Sequence, residues 1–454
     1  MAVHNRTQDM TTGKPLSLIL TFALPLMIGN VFQQMYTVVD TAVVGKALGV
    51  GALAALGASD WLNWLMLGVV QGLTQGFGIT MAQAFGAKQM DSLRRSIGAA
   101  VIVSAVSAAV LLVLGQAVLI PILTLLQTPQ AILPDSTLYL RIMFGSVPMV
   151  MAYNLFACIL RAMGDGRTPL HAMVVASCIN IGLDLLFVLV FHWGIPGAAA
   201  ATVIAQVFAA LYCLLQLGRL PVLKLKREDF HITWNLAGRL LQLGFPVAFQ
   251  NAIISVGGMI VQTVVNGFGV LFIAGFTATN KLYGILEMAA TSYGYAMITY
   301  AGQNLGAGNV PRIRSGLRAA MAVAMVTSGM IAGVMICFGK GIVGAFISGT
   351  PQEVAEATQI AYRYLVIMSV GLPILYVLHV SRSCVQGMGN TVLPMISGIA
   401  EFVMRTGAAL LLPLVMGQTG IFYAEVLAWL GADLILVPSY FKVAKKCEEE
   451  FSQR

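Results

Sequence analysis

Two carboxylates, Asp40 in the run YTVVDTAVVG and Asp184 in CINIGLDLLF, lie deep within apolar stretches of helical length. An ionisable side chain in hydrocarbon costs roughly 3 kcal/mol or more and is tolerated where it faces a bundle interior or a watery path. Asn180 precedes Asp184 by four residues, so a helix puts both on one face about one turn apart. At 1.5 Å per residue, Asp184 sits roughly 22 Å along a helix starting at Pro169, a depth that Asp40 shares near the end of its own helix. Thr202 and Asn154 add a hydroxyl and a second carboxamide in neighbouring apolar stretches. Such a set could hold a cation: the paired acids could release and rebind a proton near neutral pH, or the oxygens of Asp40, Asn180, Asp184 and Thr202 could coordinate Na⁺. The alternative is that each aspartate only ties helices together. Interhelical hydrogen bonds in lipid contribute well under about 1 kcal/mol on average, too little to offset a buried charge.

The elements that carry these residues follow from composition. Of 454 residues 58% are hydrophobic and 10% charged, far from the roughly 25% charged of a soluble domain, so the chain is a polytopic membrane protein. The polar N-terminal stretch is followed by an apolar run too long for a cleaved signal, so the first helix is expected to remain. Apolar runs of about 20 residues recur about twelve times. The spans are expected near 16–44, 53–81, 97–120, 137–160, 169–193, 197–218, 241–265, 270–301, 319–339, 358–386, 391–413 and 420–441. The fold class is all-α, integral to the membrane.

The net charge of +8 is spread over short connections rather than one soluble domain, which fits lipid orientation and argues against nucleic acid as a partner. Basic residues fall mostly on one side, among them Lys14, Lys88, Arg94, Arg95, Arg161, Arg167, Arg312, Arg314, Lys442 and Lys445, with Lys46 and Lys340 the exceptions on the other. The positive-inside rule then puts both termini in the cytoplasm of a plasma (inner) membrane protein.

The chain repeats itself. MAQAFGAKQMDSLRRS (81–96) matches YAGQNLGAGNVPRIRS (300–315), aligning Gln83 with Gln303 and Gly86 with Gly306. LRAMGDGRTP (160–169) matches VQGMGNTVLP (385–394), and Pro25 pairs with Pro246. Two parallel six-helix lobes follow, 1–218 and 241–454, joined by the charged segment 219–240 and related by a pseudo-two-fold axis along the membrane normal, an arrangement found in transporters. The acids are not repeated: Asp40 falls opposite Ile260 or Val261, and Asp184 near Ala409. Duplicated packing does not explain them.

The second half carries its own charges, Lys281, Glu287, Glu401, Arg405, Glu425 and Asp433. Glu401 and Arg405, four apart, are expected to form an intrahelical ion pair. Lys281 and Glu287 face different directions and need partners elsewhere, and Glu287 is a candidate cavity residue. Tyr36 and other aromatic residues, with the 24 methionines, could line a cavity that adapts to varied apolar ligands, although most will pack or face lipid. Pro25 and Gly29 can bend the first helix and so link the state of Asp40 to cavity shape. The six cysteines contain no CxxC pair and read as small packing residues. No phosphate loop, HExxH or GxSxG is present, so enzyme chemistry and a resident cofactor are not expected, and energy must come from an ion gradient or a partner.

Taken together, PLMIGNVFQQMYTVVDTAVVG in the first span, the QAFGAK and QNLGAG pair, and RAMGDGRTP before the fifth span resemble the multidrug and toxic compound extrusion (MATE) transporters over nearly the whole chain. The resemblance implies an antiporter that expels lipophilic, often cationic organic compounds in exchange for H⁺ or Na⁺. The constellation is similar to that of the DinF-like branch, which implies a cation site at Asp40, Asn180, Asp184 and Thr202 with Asn154 nearby. The NorM-like branch places an acid in the seventh span, where this chain has none. A lipid-linked precursor flippase of the same superfamily is the competing expectation; it would need a cationic cavity, and only Lys281, Arg382 and Arg405 are on offer. A passive channel or scaffold is a further alternative, excluded if the aspartates prove essential. Each chain holds a full pair of lobes and is expected to work as a monomer with small organic molecules as its partners.

Overall fold

The computed structural model describes residues 7–126, 128–347 and 350–452, with side chains throughout except at 41, 42, 46, 50, 53, 54, 58 and 222. Lipid offers the backbone no hydrogen bonds, so spanning segments must satisfy their own, and helices do. The first seven α-helices are α1 (Pro15–Leu48), α2 (Val50–Gly86), α3 (Met90–Leu125), α4 (Leu133–Gly145), α5 (Val147–Ala162), α6 (Arg167–Asp184) and α7 (Ile195–Gly218). The remainder are α8 (Trp234–Asn266), α9 (Val270–Gly306), α10 (Val310–Gly344), α11 (Pro351–Gly387), α12 (Val392–Met416) and α13 (Ala424–Ser452).

By length and composition, nine helical stretches among the described residues can cross a membrane, or ten if the bent pair α4 and α5 is one span. One of the nine, Val392–Ser452, contains both α12 and α13, and the more polar α9 falls outside the nine despite its 37 residues. Taking α4 and α5 as one rod, the α-helices among the described residues number twelve, as the apolar runs predict.

Two spans depart from the simple rods expected. The fourth bends by 45° at Ser146. Pro148 has no N–H to offer the Phe144 carbonyl, and beside it the Ser146 hydroxyl donates to the Met143 carbonyl at 2.7 Å. The fifth runs as α-helix only to Asp184, then widens into a π-helical turn, Leu185–Val190. The eighth α-helix begins seven residues before the expected 241, at Trp234, because Thr233 caps it: its carbonyl accepts from the N–H groups of Leu236 and Ala237.

The internal repeat has a local cause. The helices α2 and α9 end alike, with the Ala87 and Ala307 N–H groups bonded to the Gln83 and Gln303 carbonyls. The next residue is left-handed in both, φ +58° at Lys88 and +72° at Gly308. Gly164 and Gly389 make the equivalent turn after α5 and α11, with φ +82° and +84°.

The chain divides into two compact units, 1–10 with 24–248, and 11–23 with 249–454. The changes of membership in α1 and α8 fall beside Pro25 and Pro246, the two prolines matched by the repeat. Within the first unit, α2, α5 and α7 pack around Phe77, Met151, Leu155, Ala209 and Cys213. Here α2 and α8 approach so closely that a Cβ on Gly76 would lie 2.3 Å from the Gly244 Cα, a small-residue contact typical of membrane helices. The second unit packs α9 and α11 against α13 and the turn Gly417–Tyr423 before it, with a ladder of rings running from α9 through α11 to that turn: Phe276 stacks on Tyr364 at 4.7 Å, and Tyr364 on Phe422 at 5.0 Å.

Candidate functional site

In the first unit, α1 presents Tyr36 and Asp40 four residues apart on one face, and α6 presents Asn180 and Asp184 at the same spacing. The two faces meet: the carboxyl groups of Asp40 and Asp184 are in hydrogen-bond contact. Two fully ionised carboxylates have no hydrogen to share, so this contact takes one proton between them. Asp184 is wholly buried, and Asn180 is 1% exposed. The Asp40 Oδ1 atom is also shielded and accepts no hydrogen bond.

From α7, Thr202 accepts a hydrogen bond from the Asn180 carboxamide at 3.3 Å. Tyr36, Asn180, Thr202 and Gln206 line a small cavity with Met173 and Ala205. Gln206, one turn beyond Thr202, has a buried Oε1 with no hydrogen-bond partner. The four candidate cation ligands Asp40, Asn180, Asp184 and Thr202 therefore converge, with Tyr36 beside them. Asn154, on α5, is buried at 8% exposure, but its carboxamide is turned to the Val150 carbonyl of its own helix at 2.8 Å.

Three neighbours escaped sequence reading. Asp60 of α2 lies close enough to Asp40 for their charges to interact, and Tyr139 of α4 stands near Asp40, Asp60, Tyr36 and Asp184. Asp60 carries the same signal as Asp40, a carboxylate in an apolar span. Tyr139 and Gln206 carry none.

Asp165 is a different kind of acid. Its carboxylate accepts from the N–H groups of Arg167 and Thr168 at 3.0 and 2.9 Å and starts α6, so it serves the turn rather than the site.

In the second unit Glu401 and Arg405 pair at 2.8 Å, as their spacing predicts. The pairing is wider than one helix: Glu401 also meets Arg382 of α11 at 2.6 Å, and Arg405 meets Glu425 of α13 at 2.8 Å. Glu287 finds His379 of α11 at 3.2 Å, while Lys281 is exposed. Pro25 lies inside an α1 that is helical from end to end. All six cysteines are free.

Comparison with known proteins agrees with this architecture. The MatE family model matches residues 25–186 and 246–411. The "Probable multidrug resistance protein YpnP" of Bacillus subtilis is 31% identical over 421 residues, covering 92% of each chain. The "DNA damage-inducible protein F" of Escherichia coli is 27% identical, covering 76% of this chain and 74% of its own. Among solved structures, a MATE transporter in a bent conformation superposes with a TM-score of 0.88 at 20% identity, covering 98% of both chains, a likeness of fold.

Proposed function

We propose that this chain, which belongs to the MatE family, is a multidrug efflux antiporter that exports lipophilic, often cationic organic compounds in exchange for a cation. The members of the family are transporters rather than enzymes, and this is a multi-pass membrane protein. The relatives that it resembles carry multidrug resistance names, which supports the substrate class.

The observation that carries the coupling is the contact between Asp40 and Asp184. A proton held between α1 and α6 leaves the pair one negative charge and joins its two carboxyls; its loss leaves two facing carboxylates and drives the helices apart. The geometry therefore favours H⁺. The hydroxyl of Thr202 and the carboxamide of Asn180 beside Asp184 offer oxygens for Na⁺ as the second reading. In the cycle, the ion-loaded first lobe favours release of the drug outside, and loss of the ion inside resets the carrier. A ligand drives such a cycle only through unequal affinity for the two states.

Asn154 is assigned a supporting place behind this set, and Tyr36 and Glu287 the lining of a substrate cavity, with Pro25 a bending point in α1. The lobes 1–218 and 241–454 act within one monomer whose termini are both cytoplasmic, in the plasma membrane. A flippase is disfavoured because the guanidiniums of Arg382 and Arg405, which a pyrophosphate would need, are held by Glu401 and Glu425.

The test is efflux of a fluorescent lipophilic cation from liposomes under an imposed pH gradient, with and without Na⁺. Wild type should follow the pH gradient, and Asp40→Asn and Asp184→Asn should each abolish transport. Variants that match wild type would overturn the assignment, and transport driven by Na⁺ alone would select the second reading.

A further inference from the structure

Away from the first-unit site, the second unit buries a group of charges that the cycle above does not use. Glu401, 3% exposed, gives one oxygen to Arg382 and the other to Arg405, and Arg405 reaches on to Glu425. Asp433 of α13, 8% exposed, adjoins Arg382 and Glu401 closely enough for their charges to interact, and its buried Oδ1 accepts no hydrogen bond. Two guanidiniums thus face three carboxyls.

An excess negative charge buried among apolar helices is costly, and one proton removes it. Both oxygens of Glu401 are engaged by arginines, and Glu425 holds Arg405. Asp433 is the carboxyl with an unanswered oxygen. We infer that Asp433 is a second proton-binding site, housed wholly in the second unit and separate from the Asp40–Asp184 pair.

Two charged groups face it directly, and others stand one step further out. Arg382 of α11 and Glu401 of α12 reach Asp433 itself; beyond them His379 of α11 stands by Glu401, and Glu425 of α13 with Glu287 and Tyr283 of α9 stands by Arg405. Arg314 and Arg318 of α10 lie by Tyr440 and Glu448, further along α13. Of these, Arg382 is the one shared between Asp433 and Glu401. When Asp433 gives up its proton, its new charge competes with Glu401 for that guanidinium, so α11 is drawn between α12 and α13.

The experiment uses the full chain in lipid nanodiscs, with Asp40→Asn, Asp60→Asn and Asp184→Asn to silence the first-unit carboxyls. Infrared difference spectra between acidic and alkaline buffer should show a protonated-carboxyl C=O band that Asp433→Asn removes and Glu425→Gln leaves. Should Asp433→Asn fail to fold, carboxyl-¹³C aspartate in the parent shifts the same band. No band, a band that survives Asp433→Asn, or one that aspartate labelling does not shift would overturn the inference. None of these readouts involves transport, so the proposed antiport and this site can fail separately.

Discussion

The Asn180 carboxamide donates to the Thr202 hydroxyl across 3.3 Å, joining α6 to α7 one turn before Asp184. Thr202→Val removes this acceptor and should lower stability by about 1 kcal/mol. If the coupling ion is H⁺, pH-driven efflux should fall far less than in Asp184→Asn. A loss as deep as that of Asp184→Asn would mean that the hydroxyl ligates the ion, and liposome efflux under pH and Na⁺ gradients separates the two.

Pro25 leaves the Thr21 carbonyl of α1 without its intrahelical donor. Pro25→Ala should restore that bond and stiffen the helix, raising thermal stability slightly while slowing transport several-fold. Paired melting and efflux measurements check this; unchanged efflux would remove Pro25 from the mechanism.

The Glu287 carboxylate is a third exposed and bound to a histidine rather than an arginine. Glu287→Gln should therefore raise KM for cationic substrates and leave neutral ones near wild type. Competition of charged and uncharged dyes for efflux reads the difference, and an equal effect on both would make the residue structural.

Glu401 sits between two buried guanidiniums. Removing one member of such a group leaves uncompensated charge, so Glu401→Gln should destabilise the protein by about 3–5 kcal/mol, visible as a fall in melting temperature in detergent. Arg405→Lys should be nearly as harmful, since one ammonium cannot reproduce the planar bridge from Glu401 to Glu425.

At Gly164 the backbone has φ +82°, and a Cβ there would stand 2.2 Å from the Gln8 carbonyl oxygen. Gly164→Ala should cost about 1–2 kcal/mol in backbone strain and also displace the Gln8–Met163 hydrogen bond. Faster proteolysis near the N-terminus, alongside a lower melting temperature, is the expected result.

Much of this protein is written in local pattern. Apolar runs set the helices because lipid leaves the backbone no other partner, and the repeat shows itself because both copies need the same left-handed turn after α2 and α9. Asn180 with Asp184, and Glu401 with Arg405, were legible because a helix fixes what lies four residues away. The tertiary structure alone decided which faces meet. It brought Asp40 of α1 onto Asp184, added Asp60 and Tyr139, turned Asn154 away to Val150, and gave Glu401 a partner 19 residues distant in Arg382. It also ended α6 in a π-helical turn directly after Asp184. Sequence spacing carries no information on such contacts, because they depend on how each helix is rotated about its own axis, and packing against neighbouring helices sets that rotation.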